Sequence, residues 1–268
     1  MLNPFPSTLV DDYPILNNAS NPLLTYRGSI AHGMHVPPEQ NGGFDDIDLI
    51  GVYMPTQDDL FSTRPFGAKL TGTVEIKVDK WDIVLYDVRK FIKLLAQGNP
   101  NVLAVLWTDK PFIIKANRLG AALISERDLF LSKRIYHAFV GYAHDQMRRM
   151  TSVNKYDGWM GEKRKALVDK YGYDTKNAAH TIRLLRMACE FFETGEFFVN
   201  RDGIDAHQLL AIKQGGWVLE AVLSEAEDLF NRAERVFERS SLPDDVNMER
   251  VNNLCKYMVK SYYGIYDV

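Results

Sequence analysis

The sequence predicts an α+β fold in which a small mixed sheet precedes an all-helical segment. Short apolar or alternating segments, separated by turn residues, fill the first 110 residues, as is typical of strands. Beyond residue 110, apolar residues recur every three or four positions within long, charged stretches, as in amphipathic helices. We therefore expect a sheet domain over residues 1–110 and a helical domain over residues 111–268, packed against each other.

The sheet domain is expected to contain strands at residues 23–26, 47–53, 73–78 and 82–86. Residues 73–78 alternate between apolar and polar side chains, which predicts a half-exposed strand. Residues 88–97 carry apolar side chains on one helical face, and Gly98 follows them as a helix stop. A further apolar element is expected at residues 102–107.

The helical domain is expected to contain helical segments at residues 118–150, 163–170, 176–193, 206–214, 217–239 and 245–263. Asp174 and Thr175 are of the residue types that begin helices, and Gly195 is of the type that ends them. Pro243 separates the last two segments. Because no low-complexity linker joins the two halves of the sequence, we expect them to pack together.

Composition argues against several classes of protein. The formal net charge of −3 gives no bulk attraction for nucleic acid. No apolar run approaches the roughly 20 residues that span a bilayer, and the N-terminal residues lack the pattern of a signal peptide. Cys189 and Cys255 lack the spacing of a metal site and are expected to be buried thiols in a reducing compartment. We therefore expect a cytoplasmic protein with no membrane partner.

Asp46 and Asp48 form the most informative pattern in the sequence. Residues two apart in a strand point to the same face, so the two carboxylates lie side by side while Ile47 points into the core. Carboxylates this close repel unless a cation lies between them, and hard oxygen ligands suit Mg²⁺. A polar strand edge at the surface is the alternative. We favour a metal site because Gly28-Ser29 precedes the pair and an apolar strand follows it.

Gly28 and Ser29 are expected at a turn from a strand into a helix. Glycine permits close backbone approach, and backbone N–H groups together with the serine hydroxyl can bind phosphate oxygens. The serine can equally cap the helix, and the two roles are compatible. The preceding residue, Arg27, is expected to be an exposed arginine rather than a phosphate contact. With the acidic pair, this turn predicts metal-dependent chemistry on a nucleoside triphosphate (NTP).

These motifs resemble those of the nucleotidyltransferases of the DNA-polymerase-β superfamily. Within it, the chain is similar to the RNA-ligase-associated, or RlaP-like, family of predicted nucleotidyltransferases. The resemblance covers most of the chain and rests on residues 28–33, 45–53, 82–86, 90–91, 98–101, 176 and 180–185. The chain differs from the family in an insert at residues 35–44, whose prolines and glycines predict a loop. It also has Asp45 where related sequences often have serine.

The resemblance implies a third carboxylate on a neighbouring strand. Asp82 begins such a strand and is our choice, whereas Asp87 is the main alternative, because its place before a helix also suits an N-cap. Weaker alternatives are Glu75 and Asp79. On this interpretation Asp46, Asp48 and Asp82 are catalytic and bind Mg²⁺, or Mn²⁺ in its place. A hydroxyl then attacks the α-phosphate of an NTP, and pyrophosphate leaves.

Further nucleotide contacts are assigned, with the help of the resemblance, to His32, Lys176, His180 and Arg183. The last three are spaced so that they share one helix face, which would meet the triphosphate across a cleft between the domains. A solvated basic stripe is the ordinary alternative. His32 is expected to pack or hydrogen-bond near the phosphate turn. A zinc site formed with His35 is disfavoured, because no cluster of Cys or His accompanies them.

Three hypotheses concern the acceptor. The first is transfer of a nucleotide to an RNA end, as the family association implies. The second is transfer to a protein side chain or a small molecule, which the weakly acidic net charge mildly supports. The third is a non-catalytic nucleotide-binding module. We disfavour the third, because buried carboxylates are costly to keep ionised without a cation.

Overall fold

The computed structural model describes residues 5–36, 46–61, 71–151 and 162–265. Most of the predicted insert loop, together with Asp45, lies outside these residues. The described part combines a mixed five-stranded sheet with a predominantly helical second half, which confirms the predicted α+β class. In the same ranges, no helix is both long enough and apolar enough to cross a lipid bilayer.

The sheet is formed by β1 (Leu23–Tyr26), β2 (Ile47–Tyr53), β3 (Thr73–Val78), β4 (Trp81–Asp87) and β5 (Ile113–Ala116). The strand order is β3-β4-β2-β1-β5. β2 and β4 pair in parallel, whereas the other neighbouring strands are antiparallel. The first three strands have the predicted limits, and β4 is one residue longer at each end. β5 is an addition to the predicted set.

The two faces of β2 pack against different parts of the chain. Leu49 joins a cluster with N-terminal residues that include Leu16. Ile50 lies on the opposite face and joins the core formed with the helical half. Because side chains alternate along a strand, Asp48 shares the face of Ile50. The first carboxylate of β2 is therefore directed to the side on which the helices lie.

The helices of the first half are α1 (Thr8–Asp12), α2 (Gly28–Ala31), α3 (Gln57–Phe61), α4 (Val88–Ala96) and α5 (Pro100–Leu106). α4 begins where predicted because the Asp87 carboxylate accepts a hydrogen bond from the backbone N–H of Arg89, at 2.8 Å. α5 begins after Asn99, whose side chain caps it, and Pro100 suits the first helical position. The apolar element predicted at residues 102–107 is thus mostly helix.

The helices of the second half are α6 (Arg118–Ser125), α7 (Arg134–Thr151), α8 (Glu162–Tyr171), α9 (Thr175–Thr194), α10 (Ala206–Lys213), α11 (Leu219–Glu238) and α12 (Met248–Tyr263). α9 lies at their centre and packs against α7, α10 and α11. The Asp174 carboxylate accepts from the backbone N–H of Asn177 at 3.0 Å. Gly195 ends α9 with φ of 78°, a left-handed conformation that favours glycine. Both predicted boundary signals of α9 are confirmed.

The helical segment predicted at residues 118–150 is divided in the structure. α6 ends at Ser125, a 3₁₀ turn covers Arg127–Phe130, and α7 begins at Arg134. Ser132 is fully buried in the interruption. The backbone N–H of Lys133 donates to the carbonyl of Pro243 at 2.8 Å. The break therefore packs against the segment that precedes α12, a tertiary contact that local periodicity does not reveal.

One hydrophobic cluster extends across the predicted domain boundary. It runs from Leu23 in β1 to Met258 in α12. Within it, Trp107 at the end of α5 contacts Phe197 edge to face, with 5.0 Å between the ring centroids. β5 follows residue 110 and nevertheless pairs with β1. The division into two domains near residue 110 stays a prediction. One strand of the sheet, β5, lies on the C-terminal side of that boundary.

Candidate active site

Asp48 and Asp82 lie at directly paired positions of the parallel strands β2 and β4. Their side chains are 30% and 26% exposed, respectively, so both can be reached by a ligand. Asp46 precedes β2 by one residue and is exposed, while Ile47, between Asp46 and Asp48, is buried. The predicted Asp-x-Asp alternation around Ile47 is therefore present, and Asp82 stands beside it.

The surroundings of Asp48 disfavour its ionised form. Burial raises the pKa of this carboxyl above its ordinary value, and the nearby charges of Asp82 and Asp46 add to the rise in pKa. Arg27 and Lys176 oppose it with their positive charges. Because desolvation and like charges both penalise a carboxylate, the positive charges of Arg27 and Lys176 favour the ionised form of Asp48.

Arg27 lies between the two paired carboxylates, contrary to the expectation of an exposed arginine. One guanidinium nitrogen is 3.7 Å from an Asp48 oxygen and 3.7 Å from an Asp82 oxygen. The backbone N–H of Arg27 also donates to the Asp48 carbonyl at 2.9 Å. Lys77 approaches Asp82 from the solvent side, at 3.5 Å. The pairing of β1 with β2 brings Arg27 to the acids, because Arg27 directly follows β1.

Asp87 lies at the opposite end of β4 from Asp82. Five residues of strand separate the two positions, which corresponds to about 16 Å. Asp87 is only 2% exposed and caps α4 while pairing with the Arg89 guanidinium at 2.6 Å. The acid beside Asp48 is thus Asp82, and Asp87 has the N-cap role that was its alternative interpretation.

Gly28 permits the Asp48 carboxylate to come close to the backbone. Its φ is +61°, and a Cβ atom at this position would lie 2.7 Å from an Asp48 carboxylate oxygen. Any larger residue would therefore combine left-handed backbone strain with a collision. The adjacent Ser29 hydroxyl lies 3.3 Å from Nδ1 of His35. The helix expected after this turn is a single turn, α2.

A cavity of about 160 Å³ opens beside the turn. Its walls come from the end of β1, α2, β2, α5 and α9. Among the predicted site residues, it is lined by Gly28, His32, Asp48, His180 and Arg183. The predicted residues outside its lining are Ser29, Asp46, Asp82 and Lys176. Asp82 and Lys176 are nonetheless close enough to act electrostatically on Asp48.

Arg183 contributes a basic group to the wall of the cavity that Asp48 also lines. It is 4% exposed; its guanidinium contacts the Met187 sulfur at 3.2 Å and lies 3.4 Å from Nδ1 of His180. Its Nε lacks a hydrogen-bond partner, and within the described ranges no carboxylate forms an ion pair with it. Burial lowers the pKa of Arg183 to about 10, so the side chain stays charged at neutral pH. A buried cation with no paired acid favours an anionic ligand.

His32 is buried and neutral. Its Nδ1 lies 2.8 Å from the carbonyl of Val199 and therefore carries a proton that it donates. Burial lowers the pKa of His32 well below its usual range, and the positive charge of Arg183 lowers it further. The ring therefore contributes a hydrogen-bonding surface to the cavity wall rather than a positive charge for phosphate.

The segment after α9 holds α2 in place. The backbone N–H of Arg201 donates to the His32 carbonyl at 3.3 Å. The Arg201 side chain is fully buried and bonds the carboxylates of Glu190 and Asp205, the latter at 2.7 Å. A Cβ on Gly33 would lie 3.0 Å from a side-chain oxygen of Asn200. The helical half thus fixes the position of the glycine-serine turn.

A protein-family model described as RlaP, the RNA repair pathway DNA polymerase beta family, matches residues 17–256. The chain belongs to this family. Membership confirms the resemblance expected from the motifs, and it identifies the protein at a general level as a nucleotidyltransferase-like transferase. Polymerase-β-like nucleotidyltransferases generally use divalent metal ions.

Two other comparisons add little to the RlaP assignment. No curated protein matches the chain. A crystal structure of a nucleotidyltransferase-like protein from Exiguobacterium sibiricum 255-15 aligns with 96% of this chain and 76% of its own, at 11% identity and a TM-score of 0.29. A likeness of this degree carries no argument about the site.

The chemistry of Asp48 and Asp82 fits a divalent metal that is bound together with the phosphates of a substrate. In the part of the chain that the structure describes, no three side chains of His, Cys, Asp or Glu gather as a complete metal site. Asp48 and Asp82, however, are adjacent and already hold one cation, Arg27, between them. Mg²⁺ is usually bound by one or two carboxylates together with substrate phosphates, and this pair provides such ligands. The metal roles of Asp46, Asp48 and Asp82 stay predictions.

Arg27 and Asn101 are among the cavity residues for which the sequence predicts no role. Arg27 lines the cavity as well as pairing with the acids. Asn101 also lines it, although the segment 98–101 had been noted only as part of the family pattern. For Arg27 the sequence shows only that it precedes Gly28-Ser29, and its approach to the acids depends on the pairing of β1 with β2. Asn101 reaches the cavity wall because of where α5 lies in the folded chain, which the sequence does not reveal.

Proposed function

We propose that this RlaP-family protein transfers a nucleoside monophosphate from an NTP to a hydroxyl group and releases pyrophosphate. The observation that carries the proposal is the juxtaposition of Asp48 and Asp82 beside a cavity that is also lined by Arg183, a buried arginine that forms no ion pair with a carboxylate in the described part of the chain. An NTP has the matching chemistry, since its phosphates would join a metal on the acids to cations on α9.

The residues would share the work as follows. Asp48 and Asp82, with Asp46 beside them, would hold Mg²⁺ or Mn²⁺, which when bound neutralises charge on the phosphates and activates a hydroxyl. Gly28 and Ser29 would offer backbone and hydroxyl groups to phosphate oxygens.

On the opposite side, Arg183 would pair with the triphosphate, and Lys176 and His180 would contribute from the same helix. His32 would position the turn through its bond to Val199. The reaction would take place in a cleft between the proposed sheet domain, residues 1–110, and the proposed helical domain, residues 111–268. Catalysis would come mainly from positioning and electrostatics.

The acceptor we propose is a hydroxyl at an RNA end. The family description places related proteins in RNA repair, and a nucleic-acid end supplies a suitable nucleophile. Transfer to a protein or to a small molecule is an outcome that the assay must be able to reveal. We also propose that the protein acts in the cytoplasm, where NTP and Mg²⁺ are available.

The test is transfer from each α-labelled NTP, with Mg²⁺ or Mn²⁺, to an RNA pool and to a cell lysate. We expect label in RNA and release of pyrophosphate. Asp48→Asn and Asp82→Asn should each reduce the rate by about a hundredfold or more, as loss of a transition-state contact does. Label in protein or in small molecules instead would redirect the acceptor assignment.

Asp87→Asn is the matched control, because it makes the same substitution at the far end of β4. The asparagine retains an oxygen that can cap α4, so the rate should stay within about threefold of the parent. Equal transfer by the Asp48→Asn protein, or no transfer from any NTP to any acceptor, would contradict the proposed function.

A further inference from the structure

Arg27 stands where a cation is needed between the two paired acids. Its guanidinium nitrogen is equally distant, at 3.7 Å, from Asp48 and Asp82. We propose that Arg27 is a built-in placeholder for the divalent metal: it neutralises the acids in the ligand-free protein and moves to the nucleotide phosphates when the metal enters. This inference rests on the proposed function, because it assumes that Asp48 and Asp82 are the metal ligands.

The placeholder is held at the acids by the backbone rather than by strong side-chain bonds. The N–H of Arg27 donates to the Asp48 carbonyl at 2.9 Å, which keeps the residue beside β2. The guanidinium contacts, at 3.7 Å, are longer than hydrogen bonds and involve side chains that are about 30% exposed. Ion pairs of this kind contribute little and exchange readily. A divalent cation with two ligands in place can therefore displace the guanidinium without disturbing the strand.

The displaced guanidinium has a second place to bind. Arg27 lines the same cavity as Asp48 and Arg183, and its Nε is buried without a hydrogen-bond partner. Guanidinium groups bind phosphate oxygens with two parallel hydrogen bonds. When the metal binds to Asp48 and Asp82, the N–H donors of the Arg27 guanidinium would become available to the triphosphate oxygens. The nucleotide phosphates would thus replace the carboxylates as binding partners of the Arg27 guanidinium.

This arrangement couples metal binding to nucleotide binding. Metal alone must compete with Arg27 for the acids and leaves the arginine without a partner. Metal together with NTP supplies a new partner for Arg27, so each ligand should strengthen the binding of the other. The protein would then resist loading with metal alone and accept the metal–nucleotide complex.

The first experiment measures Mn²⁺ binding without nucleotide, from the paramagnetic resonance signal of free Mn²⁺. Arg27→Gln should bind Mn²⁺ about tenfold more tightly than the parent, because the two partly exposed ion pairs of Arg27 no longer compete with the metal for the acids. Lys77→Gln is the matched control: it removes one positive charge beside Asp82 but leaves Arg27 between the acids. Its affinity for Mn²⁺ should change by no more than about twofold.

The second experiment repeats the titration with a non-hydrolysable NTP. The nucleotide should tighten Mn²⁺ binding at least several-fold more in the parent than in Arg27→Gln, since only the parent has an arginine to transfer. Unchanged or weaker Mn²⁺ binding by Arg27→Gln, or an equal gain by Lys77→Gln, would overturn the placeholder role. If Arg27→Gln does not fold, Arg27→Met replaces it, because methionine also removes the charge, and a Mn²⁺ affinity no higher than the parent's overturns the proposal.

Adding Asp48→Asn to the Arg27→Gln protein separates this inference from the proposed function. Loss of the Mn²⁺ site in the double variant is expected. Tight Mn²⁺ binding that persists there would show that the metal does not use Asp48, which overturns the proposed function as well. A parent protein whose Mn²⁺ site depends on Asp48, but is indifferent to Arg27, would overturn the placeholder role alone.

Discussion

Gly28 is the residue on which the close approach of turn and acid depends. Its left-handed φ of +61° and the 2.7 Å separation between a hypothetical Cβ and the Asp48 carboxylate are two independent reasons for glycine. The first concerns the backbone alone, whereas the second concerns the position of a proposed metal ligand. A side chain at residue 28 would therefore change stability and chemistry together.

Gly28→Ala should lower the free energy of unfolding by about 1–2 kcal/mol from the backbone conformation alone. It should also weaken Mn²⁺ binding, because the Asp48 carboxylate must move. Urea unfolding and the Mn²⁺ titration measure the two effects. Gly141→Ala is the control: its site within α7 is open, so alanine should stabilise the helix by about 0.5–1 kcal/mol. Gly28→Ala protein with parental stability and Mn²⁺ affinity would contradict this account.

At the residue scale, the sequence predicts the neighbouring acids better than the cation between them. Strand alternation places Asp48 opposite the buried Ile47, and Asp82 begins an apolar strand where the family resemblance implies a third acid. Arg27 was misjudged because exposure cannot be inferred from residue type. Its place between the acids follows from the pairing of β1 with β2, which only the folded chain specifies.

β4 carries an acid at each end, and the two serve different purposes. Asp87 accepts hydrogen bonds from the backbone and side chain of Arg89 and begins α4. Asp82 is partly exposed and neighbours Asp48, with Arg27 and Lys77 as counter-charges. We therefore expect stability to depend on the C-terminal acid of the strand and activity to depend on the N-terminal one.

Asp87→Ala should lower the free energy of unfolding by about 1–2 kcal/mol, as loss of an N-cap does. Asp82→Ala should change it by less than about 0.5 kcal/mol, because relief of repulsion from Asp48 offsets the loss of exposed ion pairs. Urea unfolding of both variants at pH 7.5 provides the comparison. A larger loss of stability for Asp82→Ala than for Asp87→Ala would refute the division of roles.

Elements with a strong local signal were predicted with the correct limits, and elements defined by partners were not. β2 and β3 are recognisable from their own apolar and alternating sequence patterns, which the burial of their side chains matches. β5 has only four residues and becomes a strand by pairing with β1. The break between α6 and α7 likewise depends on Pro243, more than a hundred positions away along the chain.

At the scale of the whole molecule, α2 and the residues directly after it connect the sheet to the helical half through hydrogen bonds. His32 donates to Val199, Arg201 donates to His32, and Lys213 donates to the carbonyl of Met34 at 3.2 Å. His32 is thus a buried, neutral histidine at the junction. Because burial lowers its pKa in the folded protein, protonation favours the unfolded chain.

The sign of the pH effect follows from this depressed pKa. Above pH 6.5, His32 is neutral in both states and its stabilising contribution is complete. As the pH falls below 6.5, only the unfolded chain takes up the proton, so stability declines. Between pH 7.5 and pH 5.5, the parent should lose about 1 kcal/mol more than His32→Asn, whose amide can still donate to Val199.

Urea unfolding at both pH values measures this difference, and replacement of the exposed His207 by asparagine is the control. An equal loss of stability in the parent and in His32→Asn would contradict the neutral, buried state of His32. The same loss in the His207 variant as in the parent is expected.

The position of Trp107 gives the protein its own optical reporter. The indole contacts the ring of Phe197 edge to face, and the Arg127 guanidinium lies 5.1 Å from the indole centroid. The neighbouring Thr108 forms part of the cavity wall. Indole fluorescence responds to the polarity and the charges around the ring. The chain has four tryptophans, so a variant that keeps only Trp107 isolates its emission. In that variant, a ligand that shifts α5 relative to the segment after α9 will change the fluorescence, and its entry can be followed without a label.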